Sequence, residues 1–171
     1  MEIELNFRKT VESDVNNVMG VIKQAQDYFK ERGINQWQNN YPNSDTINND
    51  ITNGHSYVLL KDEDIVATVA VSFDGESTYN NIYDGKWLTN DKYAVIHRIA
   101  VDNTYKGLGL SSEIIKRIEA LCVINNVHSI KVDTHRANLS MQKLLKKNNF
   151  EYCGIIYLLD GNERIAFEKI F

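Results

Sequence analysis

The chain has 171 residues, of which 43% are hydrophobic, 25% charged and 10% aromatic, with nine glycines and a single proline. That length fits one domain, and the balance excludes collagen-like, low-complexity and largely disordered chains. The net charge of −4 argues against a nucleic-acid partner, whose usual footprint is a basic face. No apolar run approaches the ~18 residues of a membrane span. Met1-Glu2-Ile3-Glu4-Leu5 lacks the basic start and apolar stretch of a signal peptide. With Cys122 and Cys153 far apart in sequence, reduced thiols in the cytoplasm are expected.

Ile3, Leu5 and Phe7 alternate with polar residues, the period of a first strand. From about Thr10, the residues Val11, Val15, Val18, Met19, Ile22, Ala25 and Phe29 follow helical spacing. Thr10 or Ser13 is the expected N-cap of that helix and Gly33 its stop. After a polar stretch with Trp37, Tyr41 and Pro42, a short helix is expected over 44–53, capped by Ser44 and ended by Gly54. Residues 57–60 and 65–73, joined by Asp62-Glu63-Asp64, read as a hairpin. A polar loop over 74–92 carries Tyr79, Tyr83 and Trp87, and the run 93–101 reads as a strand buried on both faces.

The second half alternates. A helix over 109–125 places Leu110, Ile114, Ile115, Ile118, Leu121 and Cys122 on one face. A strand over 128–134 follows, then a helix over 138–147 with Met141, Leu144 and Leu145 inward and Asn148-Asn149 at its end. Two strands, 150–159 and 164–171, are joined by Asp160-Gly161-Asn162. The order β-α-α-β-β-β-α-β-α-β-β predicts an α/β (α+β) chain with a central mixed sheet flanked by helices in three layers, as one domain over residues 1–171.

The segment richest in chemistry runs from Val101 to Ser112, where a buried strand ends and Gly107 and Gly109 open a helix. Glycine allows a tight turn and an unhindered approach of backbone N–H groups to a ligand. A helix start presents unpaired donors and partial positive charge, which suits a phosphate. The dinucleotide fingerprint Gly-x-Gly-x-x-Gly fails here, because Ser112 stands at its third glycine. The Gly-x-x-x-x-Gly-Lys spacing of a P-loop is also missing.

In its context this segment resembles the GNAT superfamily of acetyl-CoA-dependent N-acetyltransferases. That family's pyrophosphate loop, Arg/Gln-x-x-Gly-x-Gly/Ala between the fourth strand and third helix, is resembled by Lys106-Gly107-Leu108-Gly109-Leu110-Ser111, with Lys106 in place of Arg or Gln and Ser111 in place of Gly or Ala. The strand Ile96-His97-Arg98-Ile99-Ala100-Val101 before it and the stretch from Asn138 to Phe150 resemble further family motifs. The resemblance implies acetyl-CoA as co-substrate and direct transfer of acetyl to a small-molecule or peptide amine; no metal is expected, because Asp133 and His135 have no evident third ligand. It also implies that the main chain of Ile99, Ala100 and Val101 meets the coenzyme's acyl end, with Val101 contacting the oxyanion, and that Asn138 meets the pantetheine arm. Leu145 stands where the family commonly has a tyrosine that reprotonates the CoA thiolate.

His97 is the candidate general base, because an imidazole titrates near ~6.5; it reads equally as a structural histidine. Asp133 and His135 share a strand face and read as a base relay, a metal-ligand pair or a tie for the following loop. Asn138 also reads as a helix N-cap. Trp37, Tyr41, Tyr83 and Trp87 read as a substrate wall or as covers of the core's edge. Cys153 reads as a buried thiol. Two rival functions stand beside the transferase: a non-catalytic acyl-CoA-binding module, and a nucleotide-phosphate binder using the same loop. The acceptor's identity and the choice between monomer and homodimer are open at this level.

Overall fold

The computed structural model describes residues 4–171; Ile3, assigned above to the first strand, lies outside the described residues. The elements are β1 (Leu5–Lys9), α1 (Val15–Glu31), α2 (Ser44–Thr52), β2 (Ser56–Lys61), β3 (Asp64–Ser72), β4 (Ala94–Val101), α3 (Leu110–Ile124), β5 (Ser129–Thr134), α4 (Leu139–Lys147), β6 (Glu151–Tyr157) and β7 (Glu163–Ile170). This is the expected order. The seven strands form one mixed open sheet in the order β1-β2-β3-β4-β5-β7-β6, flanked by helices. The chain divides into two compact units: residues up to Val71 with His97–Arg117, and Ser72–Ile96 with Ile118–Phe171.

In the first unit, β1 pairs antiparallel with β2 and β2 with β3. The β2–β3 turn is closed by Asp62, whose φ of 55° falls where a short polar side chain is tolerated. The apolar stripe of α1 buries Val15, Val18, Val21 and Ile22 against Ile47 of α2, Val58 and Leu60 of β2 and Ala100 of β4. Val18 and Ile22 are fully enclosed, each contributing roughly 1.5–3 kcal/mol by burial.

The starts of both helices differ from expectation. Residues 12–14 form a single 3-10 turn before α1, and neither Thr10 nor Ser13 caps it. Thr10 Oγ1 is instead hydrogen-bonded to Ser56 Oγ at 2.7 Å. The Asp14 carboxylate accepts from Val11 N at 2.8 Å and from Arg8 at 2.7 Å; this pairing with Arg8 holds it below the ordinary carboxylate range. Val11, assigned above to the apolar stripe, is exposed. For α2 the cap is Asn43, whose Oδ1 accepts from Thr46 N at 3.0 Å, one residue ahead of Ser44.

In the second unit, β4 pairs in parallel with β5 at Ala94↔Ile130 and Val95↔Lys131. β7 lies antiparallel between β5 and β6. The long loop after β3 is not a free surface loop. Tyr83 and Ile155 exchange backbone hydrogen bonds of 2.8 Å, Trp87 Nε1 donates to Tyr79 O at 2.8 Å, and Leu88 N donates to the buried Glu168 at 2.8 Å. Gly154 makes the Tyr83–Ile155 pairing possible, since a Cβ there would lie 2.6 Å from Tyr83 O. Asn149, at φ 66°, ends α4 in the left-handed geometry expected of one of the two asparagines. Among the described residues, no helix is long and apolar enough to cross a membrane.

Candidate active site

The glycine loop is built on three supports. Asp102 N donates to Val66 O at 2.8 Å, carrying the end of β4 onto β3. Asp102 Oδ1 then accepts from Thr104 N at 2.9 Å, which sets the short 3-10 turn Asn103–Tyr105. The third support comes from α1. The Gln24 amide donates through Nε2 to Asp102 Oδ2 at 3.0 Å and accepts through Oε1 from Asn103 N at 2.6 Å. One side chain thus reads both a carboxylate and the adjacent main-chain N–H, fixing where the turn begins.

Beyond the turn, Gly107 and Gly109 adopt φ of 82° and 76°, and a Cβ added at either would find no atom within 4 Å. Neither glycine is therefore required by packing. Both are required by backbone conformation, and both leave open space on the side a side chain would fill. The helix begins at Leu110, and its first internal bond runs from Glu113 N to Gly109 O at 3.1 Å. The amides ahead of Glu113 have no carbonyl four residues back within α3. Lys106 is exposed, with its ammonium 4.9 Å from the centre of the Tyr28 ring, and the Arg32 guanidinium lies 3.8 Å from the same ring. These residues together provide adjacent N–H donors, a helix start and local cations around open space. That donor set fits a diphosphate.

Upstream, β4 is bent at Arg98, a non-glycine residue at φ 52°. Its guanidinium meets the buried Asp50 of α2 at two points, Nε to Oδ2 at 2.7 Å and Nη2 to Oδ1 at 2.6 Å, and Nη1 donates to Tyr41 Oη at 3.0 Å. This cluster was not anticipated, although its signal was present. Asp50 stands beside Ile47 and Ile51 in an amphipathic helix, and Arg98 interrupts an apolar strand. Charges in such positions require partners.

His97 is half-buried and immediately precedes Arg98. Ile99 and Val101 are half-buried on β4 and Ala100 is buried. Tyr41 is 44% exposed. Trp37 is half-buried, packs on the α1–β2 core and meets Phe29 edge-on at 5.7 Å. The loop carrying both is anchored to α1: Gln26 Nε2 donates to Pro42 O at 2.9 Å and Gln38 Nε2 to Gln26 O at 3.1 Å.

In the second unit, Asn138 caps α4, its Oδ1 accepting from Met141 N at 3.2 Å. His135 Nδ1 accepts from Ala137 N at 3.0 Å, so of its three readings the loop tie is the one the contacts express. Burial and the nearby Arg164 depress its pKa. The neutral ring then carries its proton on Nε2. Asp133 is engaged by Tyr79, whose hydroxyl donates to Oδ2 at 2.6 Å; burial first, then this carboxylate, pushes the phenol well above its ordinary value. Trp87 and Tyr93 enclose the Lys131 ammonium at 4.4 and 4.1 Å from their ring centres, so Trp87 has a core role. Tyr83 is exposed and packs against Tyr157. Leu145 is fully buried. Cys153 is buried, and burial raises its thiol to about 11, while Cys122 is raised to about 12. Neither is an activated nucleophile. Among the described residues no three His, Cys, Asp or Glu side chains form a metal-binding group.

Comparison with known proteins places the sequence and fold in a family. Residues 22–150 match the acetyltransferase (GNAT) family. A GNAT-family acetyltransferase from Streptococcus agalactiae, of known crystal structure, is 32% identical, with 99% of each chain covered and a TM-score of 0.88. A second GNAT-family crystal structure, from Listeria monocytogenes, superposes with a TM-score of 0.76 at 19% identity over 99% of this chain and 96% of that one. An uncharacterized N-acetyltransferase of Bacillus subtilis, YesJ, is 23% identical over 163 residues, 93% of this chain and 86% of that protein. The chain therefore belongs to the GNAT family and is an acetyltransferase enzyme.

Proposed function

We propose that the enzyme transfers acetyl from acetyl-CoA to a primary amine by direct attack within a ternary complex. The observation that carries this reading is the pair Gly107 and Gly109, both left-handed and both facing open space at the start of α3. The amides of residues 106–111 hold the coenzyme's diphosphate, with Lys106 adding charge. Ile99, Ala100 and Val101 offer main-chain groups to the pantetheine and thioester, and a Val101 N–H stabilises the oxyanion formed on attack. Asn138 keeps its assignment to the pantetheine arm.

An alkylamine with pKa ~10 is mostly protonated at neutral pH and must lose a proton before it attacks. His97 is assigned that task. Leu145 has no proton to offer the departing sulfur, and a thiol of pKa ~8.5 leaves tolerably as the thiolate near neutrality. Tyr41 and Trp37 flank the acceptor from the loop before α2, and Tyr83, Trp87 and His135 are held as acceptor-side candidates. We further read the chain as one catalytic domain acting in the cytoplasm. Its buried thiols support a reducing compartment, and its net charge of −4 disfavours nucleic acid as a partner.

The test is CoA release measured against a panel of amino acids, polyamines, aminoglycosides and peptide N-termini, beside thermal shifts with acetyl-CoA, ATP and NAD. Turnover of at least one amine, with stabilisation by acetyl-CoA growing as RT ln(1 + [L]/Kd), is expected. Binding without turnover of any amine would favour the acyl-CoA-binding module. A response to ATP or NAD but not acetyl-CoA would overturn the coenzyme assignment.

A further inference from the structure

An arginine at φ 52° inside a strand is held against its own preference, because the Cβ of an L residue crowds the following carbonyl in that region. Such residues persist only where the surroundings over-determine them, and they cluster at functional sites. Here the over-determination is visible. The planar fork of Arg98 is gripped at two points by Asp50 at 2.7 and 2.6 Å, and its third arm donates to Tyr41 Oη at 3.0 Å. Both partners are sheltered, at 15% exposure for the Arg98 side chain and 6% for that of Asp50. A two-point contact fixes orientation as well as distance, so it constrains the backbone from which the guanidinium hangs. The next residues along that backbone are Ile99, Ala100 and Val101.

We propose that the Arg98–Asp50 ion pair is a positioning device for acyl transfer: it locks the left-handed residue in β4 and so aims the main-chain N–H groups that polarise the thioester carbonyl. This rests on the assignment of residues 99–101 to the acyl end of acetyl-CoA. Tyr41 extends the device by joining the acceptor-side loop to the same pivot through the remaining guanidinium arm. A purely structural ion pair would tie α2 to the sheet and nothing more. The two roles differ in what they demand of residue 98. A tie is indifferent to which small residue replaces the arginine once the charges are gone, whereas an aiming device needs the left-handed backbone, which glycine adopts freely and alanine does not.

The test uses the full chain with acetyl-CoA carrying a 13C-labelled carbonyl, whose infrared band shifts to lower frequency when N–H groups polarise it. For the wild type, a shifted band relative to free acetyl-CoA is expected. Asp50→Asn should return the band toward its free position and lower kcat on the order of a hundredfold, the scale of losing one oxyanion donor, with KM for acetyl-CoA little changed. Two double variants complete the comparison and leave no buried unpaired charge should Asp50→Asn alone fail to fold. Asp50→Asn with Arg98→Gly should recover the shifted band, and Asp50→Asn with Arg98→Ala should not. Equal bands in the two double variants, or an Asp50→Asn band that stays at the wild-type position in a folded protein with wild-type kcat, would overturn the positioning role. Failure of the wild type to bind acetyl-CoA at all would instead overturn the coenzyme assignment beneath it.

Discussion

Gly109→Ala separates the conformational demand of the loop from its ligand. At φ 76° an L residue is disfavoured by ~1–2 kcal/mol, and since no atom lies within 4 Å of the added Cβ there is no clash to add. For a chain of this size the melting temperature should drop by roughly 2–8 °C. Gly161 in the β6–β7 turn is a matched control, at φ 86° with an equally empty Cβ position, and Gly161→Ala should destabilise to the same extent. Only Gly109→Ala places a methyl group where the diphosphate is proposed to lie. Loss of one N–H bond to a charged oxygen, worth about 1.5–3 kcal/mol, should weaken acetyl-CoA binding about 10- to 150-fold, read by isothermal titration. Equal affinity in the two variants would refute the placement of the diphosphate.

Other expectations follow from the same geometry. His97→Ala should lower kcat more at pH 7 than at pH 10, where about half of an alkylamine of pKa ~10 is already neutral; a pH-rate profile parallel to that of the wild type would return His97 to a structural role. Gln24→Ala removes both anchors of the turn at Asp102 and Asn103, so acetyl-CoA affinity should fall while the circular dichroism spectrum is retained. Cys122 and Cys153, raised to about 12 and about 11, should resist iodoacetamide at pH 8 until the protein is unfolded; rapid labelling of the native protein would contradict their burial. Those thiols and Tyr79 have folded pKa values above their ordinary ones, so the protonated form is the one the fold favours. Their stabilisation is fully present below the unfolded values, near 9 for the thiols and 10 for Tyr79, and is lost as pH rises from there to the folded values, about 12 for Cys122 and about 11 for Cys153. Urea melts should weaken by about 1.4 kcal/mol per pH unit for each group that ionises only on unfolding.

Much of the fold was legible because periodicity reports burial directly. The stripe Val15, Val18, Ile22 and the run Ala94–Val101 are patterns that a helix and a buried strand require, and Gly33, Gly54 and Asn149 end their elements in left-handed geometry. Helix starts were less legible, since Ser13, Asp14, Asn43 and Ser44 are all good caps in isolation. Tertiary partners chose among them: Arg8 claims Asp14 and Ser56 occupies Thr10. The glycine loop was legible from chemistry plus position along the chain. The pivot around Arg98 was not, because its partners Tyr41 and Asp50 lie 57 and 48 residues away and no spacing rule links them. The surroundings of Trp87 were hidden for a related reason: a polar loop composition conceals the backbone anchors at Tyr83 and Leu88 and the contact of its ring with Lys131.

The most direct measurement is a crystal structure of the full chain soaked with acetyl-CoA. Diphosphate oxygens are expected within hydrogen-bond distance of the main-chain amides between Lys106 and Ser111, with the thioester beside Ile99–Val101. Density for the diphosphate at any other place, with the glycine loop left bare at saturating coenzyme, would contradict that placement.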